Sequence, residues 1–149
     1  MRILLIEDEE LKRRAIAQQV KECASEPLEL VECESLRGGL KEIVSGSSFD
    51  LVLLDMSMPG FDASDSASAF EEPESFAGKE ILAQMKLREI FMPVVVVTQY
   101  KAFAKGTIDL KDLTDQCSRE FPEIFQGAIY YSTSVESWKR ELSEIINRI

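Results

Sequence analysis

Short apolar runs recur along the chain, and several stop abruptly at a polar side chain. Ile3 to Ile6 ends at Glu7-Asp8, Leu51 to Leu54 ends at Asp55, and Val94 to Val97 ends at Thr98. "LVLL" and "VVVV" have no alternation, the pattern of strands covered on both faces. "LELVECES" (28–35) alternates instead, which predicts a strand with one wetter face at a sheet edge. "GAIYYST" (127–133) supplies a fifth strand. Helical spacing fills the intervals. Leu11, Ala15, Ile16, Val20 and Cys23 share one face, and Leu36, Leu40, Ile43 and Val44 another, with Ser35 as its cap. Ile81, Leu82 and Met85 mark a further helix. Val135, Trp138, Leu142, Ile145, Ile146 and Ile149 mark the last, with Thr133 and Glu136 spaced as a capping box.

Strands alternating with helices imply an α/β domain over residues 1–149. It should be a single doubly wound, five-stranded parallel sheet in the order 2-1-3-4-5, with helices on both faces and right-handed connections. Two stretches exceed that minimum. Residues 60–77 hold five acids and no base, and read as an exposed, mobile insertion. Residues 106–126 lengthen the connection between the fourth and fifth strands. Leu110, Leu113, Cys117 and Phe121 give that stretch a helical face, which Pro122 ends.

Composition narrows the function. The chain has 149 residues, 45% of them hydrophobic, enough for one well-filled core. A net charge of −10 disfavours direct binding to nucleic acid and suits divalent cations or basic protein surfaces. No run is long enough to span a membrane, and Met1 leads directly into a strand, so neither a membrane segment nor a signal peptide is expected. Cys23, Cys33 and Cys117 form no CxxC pair and read as small apolar residues in a reducing cytoplasm. With no histidine in the chain, triads with a histidine base and histidine-ligated metals are excluded.

The candidate chemistry lies at the strand ends. In the order 2-1-3-4-5 the first and third strands are neighbours, so Glu7, Asp8 and Asp55 converge. Like charges that close call for a cation among them, and oxygen ligands favour Mg²⁺. Thr98 ends the fourth strand, where a hydroxyl can bond an oxyanion near Asp55. Ser57 offers a backbone carbonyl two residues after Asp55, and Pro59-Gly60 turns the loop.

With "LVLLDMSMPG", the acidic pair Glu7-Asp8 and "VVVVTQ", the chain resembles the receiver domain of two-component response regulators, whose sheet has this flavodoxin-like order. The resemblance covers nearly the whole chain apart from the two long connections. It implies that Asp55 is the phospho-acceptor and Thr98 the switch hydroxyl. It also implies Mg²⁺ held by Asp8, Asp55 and the Ser57 carbonyl, with Glu7 in support through water. The donor would be a histidine kinase or phosphotransfer protein, which supplies the missing histidine. The output would be a switched surface for a downstream protein partner in the cytoplasm. Such a domain is a signalling phosphoprotein rather than an enzyme, with at most slow autodephosphorylation. The family's lysine at the end of the fifth strand is matched here by Tyr131, the proline that follows it by Ser132, and the aromatic switch position by Ala128. These departures favour a second reading, a pseudo-receiver that binds partners without phosphorylation. A hydrolase with an aspartyl nucleophile is a third. It lacks the second acid close after Asp55, since Asp62 is the next one. The chain is expected to be a stand-alone receiver or a piece of a longer protein.

Overall fold

The structure, a computed structural model, describes residues 1–57, 77–103 and 108–149. In chain order its elements are β1 (Arg2–Ile6), α1 (Glu10–Cys23), β2 (Glu29–Cys33), α2 (Leu36–Val44), β3 (Leu51–Leu54), α3 (Ala77–Leu87), β4 (Val94–Thr98), β5 (Ala102–Phe103), β6 (Ile108–Asp109), α4 (Leu110–Glu120), β7 (Phe125–Tyr130) and α5 (Ser137–Asn147). Five strands form one parallel sheet ordered β2-β1-β3-β4-β7. This is the doubly wound order expected from the sequence, with β7 as its fifth strand.

Alternation of side chains along each strand feeds two separate cores. Leu4, Ile6, Val52, Leu54, Val94 and Val96 face α2, α3 and α4. Ile3, Leu5, Leu51, Leu53, Val95 and Val97 face α1 and α5. Every residue of β3 and β4 is buried, which is why neither strand shows an apolar–polar alternation. β2 pairs only with β1 and keeps Glu29 and Glu32 exposed, as an edge strand should.

Several local expectations are corrected. The buried face of α1 is Lys12, Ile16, Ala17 and Val20, whereas Leu11 is 74% exposed. The helix is rotated so that a lysine, not a leucine, points inward. Val44 on α2, and Val135 and Ile149 flanking α5, also face out. Thr133 and Glu136 do not form the capping box. Glu136 is itself the N-cap, makes no capping bond through its side chain, and pairs instead with Lys139 at 3.1 Å. Ser35 does cap α2, accepting from the Gly38 N–H at 3.1 Å.

The long connection after β4 contains a two-stranded antiparallel ladder, β5 with β6, followed by α4. α4 is capped by Asp109, which accepts from the Asp112 N–H at 2.8 Å. β7 begins at Phe125, two residues before the expected strand. The acidic stretch 60–77 lies outside the described residues except for Ala77, the first residue of α3. Among the described residues no helix is long and apolar enough to cross a membrane.

Candidate functional site

Sheet register assembles the acids. Ile6 of β1 pairs with Leu54 of β3. The next residues, Glu7 and Asp55, therefore leave the carboxyl edge of the sheet at the same level. The Asp55 N–H donates to the Ile6 carbonyl at 3.0 Å, and the Glu7 N–H to the Cys33 carbonyl at 2.9 Å. Both backbones are pinned before the side chains are placed. Carboxylate oxygens of Glu7, Asp8 and Asp55 all lie within 4.8 Å of one another. Glu7 is 1% exposed and Asp55 5%, while Asp8 is half-buried toward solvent.

Thr98 is fully buried at the end of β4. Val96 pairs with Leu54, so Thr98 stands one residue beyond the level of Asp55. Its hydroxyl accepts from the Tyr100 N–H at 3.2 Å, and its carbonyl accepts from the Tyr131 N–H at 2.7 Å. The second bond ties β4 to the residue just past β7. Ser57 is half-buried two residues after Asp55. Pro59 and Gly60 lie outside the described residues.

The residue missing from the sequence reading is Lys12. It stands in the first turn of α1 and is 1% exposed. Its ammonium pairs with Glu7 Oε1, lies 3.3 Å from Asp55 Oδ1, and donates to the Val97 carbonyl at 2.8 Å. It thus touches residues from the carboxyl ends of β1, β3 and β4, three neighbouring strands. The Tyr131 ring lies over it, with the ring centre 5.8 Å from Nζ. Tyr131 packs in turn on Trp138 at 4.9 Å between ring centres. Lys101, just after β4, sits over the Tyr130 ring, with Nζ 4.6 Å from the ring centre.

Burial sets the protonation of the cluster. Loss of water pushes the Glu7 carboxyl up to about 9, opposed by Lys12 and reinforced by Asp55. Asp55 moves upward for the same reason, again opposed by Lys12. Both shifts favour the protonated carboxyl, and positive charge beside the pair opposes them. Despite the lysine, Glu7 Oε1 and Asp55 Oδ1 are buried without a well-directed hydrogen bond. Two under-satisfied buried oxygens beside a half-buried Asp8 are a donor set that fits a hard divalent cation.

A glycine on α3 sets the position of the loop behind Asp55. A Cβ on Gly78 would come within 2.7 Å of the Asp55 carbonyl oxygen and 3.0 Å of Met56 Cα. The Gly78 N–H donates to the Met56 carbonyl at 3.0 Å. The start of α3 thus rests directly on the backbone that carries the acid.

No protein-family model matches the chain. It is 24% identical over 151 residues to the Detocs response regulatory protein DtcB of Enterobacter cloacae, spanning all of both chains. It is 26% identical over 142 residues to an uncharacterized protein, y4jR, of Sinorhizobium fredii, spanning 93% of this chain and 92% of that one. Among solved structures it superposes on a CheY-like response regulator receiver domain protein from Methanospirillum hungatei with a TM-score of 0.62. That match has 22% identity and covers 99% of this chain and 90% of that one. The Mn²⁺-bound response regulator Rcp1 gives a TM-score of 0.64 at 19% identity, covering 97% of this chain and 90% of that one. Sheet order, helix placement and full-length likeness to a curated response regulatory protein agree, and the chain has the fold of response regulator receiver domains and resembles them from end to end.

Proposed function

We propose that Asp55 accepts a phosphoryl group from a histidine kinase or phosphotransfer protein in the cytoplasm, with Mg²⁺ as cofactor. The transfer would change a protein-interaction surface built around β4 and β7. The observation that carries this reading is the convergence of Glu7, Asp8 and Asp55 at one strand edge with two buried oxygens under-satisfied. Asp8, Asp55 and the Ser57 carbonyl would hold the metal, with Glu7 in support. Bound there, Mg²⁺ would neutralise charge spread over the transferring oxygens. An Asp55 oxygen attacks phosphorus, the bond from phosphorus to the donor breaks, and its electron pair leaves with the donor. The backbone of Asp55 is held by Ile6 and Gly78, which fixes where its side chain starts. Thr98 stands at the same edge and supplies the hydroxyl for the switch.

The test is incubation with acetyl phosphate and Mg²⁺, followed by intact mass. One phosphoryl group should be gained by the native protein and none by Asp55→Asn. No gain in the native protein, under conditions that label an ordinary receiver, overturns the reading.

A phosphorylation-independent interaction module is the second reading. It is favoured by Lys12, which already sits among the acids as a built-in counter-ion. A partner captured equally well by native and Asp55→Asn protein would support it.

A further inference from the structure

We propose, resting on the phosphoryl-acceptor reading above, that Lys12 is the cation that holds the phosphoryl group on Asp55. On this view the lysine has been exchanged from the β7 side of the site to the α1 side, with an aromatic ring left in its place. Position 131, where the receiver pattern has its lysine, carries an aromatic ring. Lys12 reaches the acceptor from α1, on the other side of the acids.

The geometry supports the exchange at three points. First, the ammonium is already 3.3 Å from Asp55 Oδ1, so it touches the nucleophile itself. Second, its third donor is fixed on the Val97 carbonyl at 2.8 Å, which holds the charge at the β3–β4 edge where a transferred group would sit. Third, the Tyr131 ring centre lies 5.8 Å from Nζ. An aromatic face accepts a buried ammonium, whereas a lysine at 131 would bring a second positive charge into the same space. The two departures, a buried lysine on α1 and a tyrosine after β7, therefore account for each other.

The chemistry needs no further reactant. The Asp55 oxygen bonds to phosphorus as the bond to the donor's leaving group breaks, and the ammonium keeps its proton throughout. Before transfer Lys12 compensates Glu7 and Asp55. After transfer Asp55 no longer carries a carboxylate charge, and the same N–H groups turn to the phosphoryl oxygens. Lys12 and a metal ion also compete for the same carboxylates before transfer. Removing the lysine should thus move two properties in opposite directions, which general damage to the site would not do.

The experiment compares native protein with Lys12→Met, Lys12→Arg, Tyr131→Lys and the double variant Lys12→Met/Tyr131→Lys. Acetyl phosphate labelling is followed by intact mass, and Mg²⁺ affinity by calorimetry. Lys12→Met should label about 10²-fold more slowly, the scale for losing one charge-stabilising donor, while binding Mg²⁺ more tightly than native protein. Lys12→Arg should retain part of the rate. The double variant, with its lysine returned to 131, should recover labelling over Lys12→Met. This comparison also holds if the single variant folds poorly, since the double variant restores a cation. Labelling of Lys12→Met at the native rate, or no recovery in the double variant, overturns the exchange while leaving the acceptor reading intact. Failure of the native protein to label overturns both.

Discussion

The two flanks of the site follow different rules. On the β1–β3 flank, Glu7, Asp8 and Asp55 stand where strand order and register put them. On the β4–β7 flank, Thr98 is in place but position 131 holds a ring, and positive charge arrives from α1 instead. The acids are fixed by backbone: each is the first or second residue beyond a buried strand, so its location is a property of topology. The cation is fixed by reach. A lysine stem spans several ångströms, so more than one element can deliver an ammonium to one point. The acids are therefore tied to register, whereas the position of the cation is not.

The largest effect that would sharpen this contrast is the cost of removing the buried cation. In metal-free protein, Lys12→Met leaves Glu7 and Asp55 without a counter-charge. Breaking a buried pair in this way costs about 3–5 kcal/mol. Urea denaturation in the presence of a chelator should show that loss, and added Mg²⁺ should recover much of it. A loss that Mg²⁺ does not reduce would mean that Lys12 packs the core rather than balancing the acids. Arg14 offers an internal control on the same helix. It pairs at 2.5 Å with Glu10, both side chains exposed, and surface pairs of this kind contribute about 0–1 kcal/mol.

The acid flank can be tested through Gly78. Its missing Cβ leaves room for the Asp55 carbonyl and Met56 Cα, both of them backbone atoms. Gly78→Ala must push α3 away or displace the loop after β3, at about 1–3 kcal/mol for overpacking. Mg²⁺ affinity should fall with it, because the Asp55 backbone moves. A stable variant with native Mg²⁺ affinity would show that the α3 start does not set the position of Asp55.

The pH dependence gives a smaller and more diagnostic signal. The Glu7 carboxyl is raised from 4.5 to about 9 in the fold. A raised acid favours the protonated folded state, so its contribution is fully present below about pH 4 and is lost as pH climbs through 9. Asp55 is raised as well, and its contribution has the same sign. Metal-free protein should therefore become less stable from weakly acidic to alkaline pH, as followed by thermal unfolding. Mg²⁺ should flatten the slope by favouring the ionised carboxylates. A metal-free protein whose stability rises over that interval would show that both acids are well compensated when ionised.

How much of this was legible in the sequence follows from the same contrast. The runs at 51–54 and 94–97 could only be central strands, and their terminal residues could be placed without coordinates. Lys12 was hidden because lysine is read as a solvated residue. That reading turned the apolar face of α1 toward Leu11 and left the buried position unnoticed. A signal existed. Lys12 keeps helical spacing with Ile16 and follows the acidic pair by one turn, so a cation on the inward stripe could have been entertained. The two-residue strands β5 and β6 carry no period at all, and nothing in their residues separates a ladder from a loop. Thr133 and Glu136 had capping-box spacing, but chain entry after β7 put the helix start at Ser137, beyond their reach. Gly78 was invisible for another reason. A close approach to Asp55 involves residues far apart in the chain, and a single glycine does not announce its neighbour.

The smallest effect separates the two things Tyr131 could contribute. A ring face over the ammonium would be lost in Tyr131→Leu and kept in Tyr131→Phe, whereas a hydroxyl donor would be lost in both. Burial pushes the phenol upward, so the hydroxyl stays protonated at neutral pH and has a proton to give. The structure favours the ring: Nζ lies 5.8 Å from its centre, and Trp138 fixes its tilt at 48°. Tyr131→Leu should cost about 1–2 kcal/mol, from a desolvated cation–π contact together with the pairing to Trp138. Tyr131→Phe should cost clearly less in the same urea denaturation. Equal losses in the two variants would assign the contribution to the hydroxyl. The β7 flank would then hold a polar donor of its own, and the case for a lysine displaced to α1 would weaken.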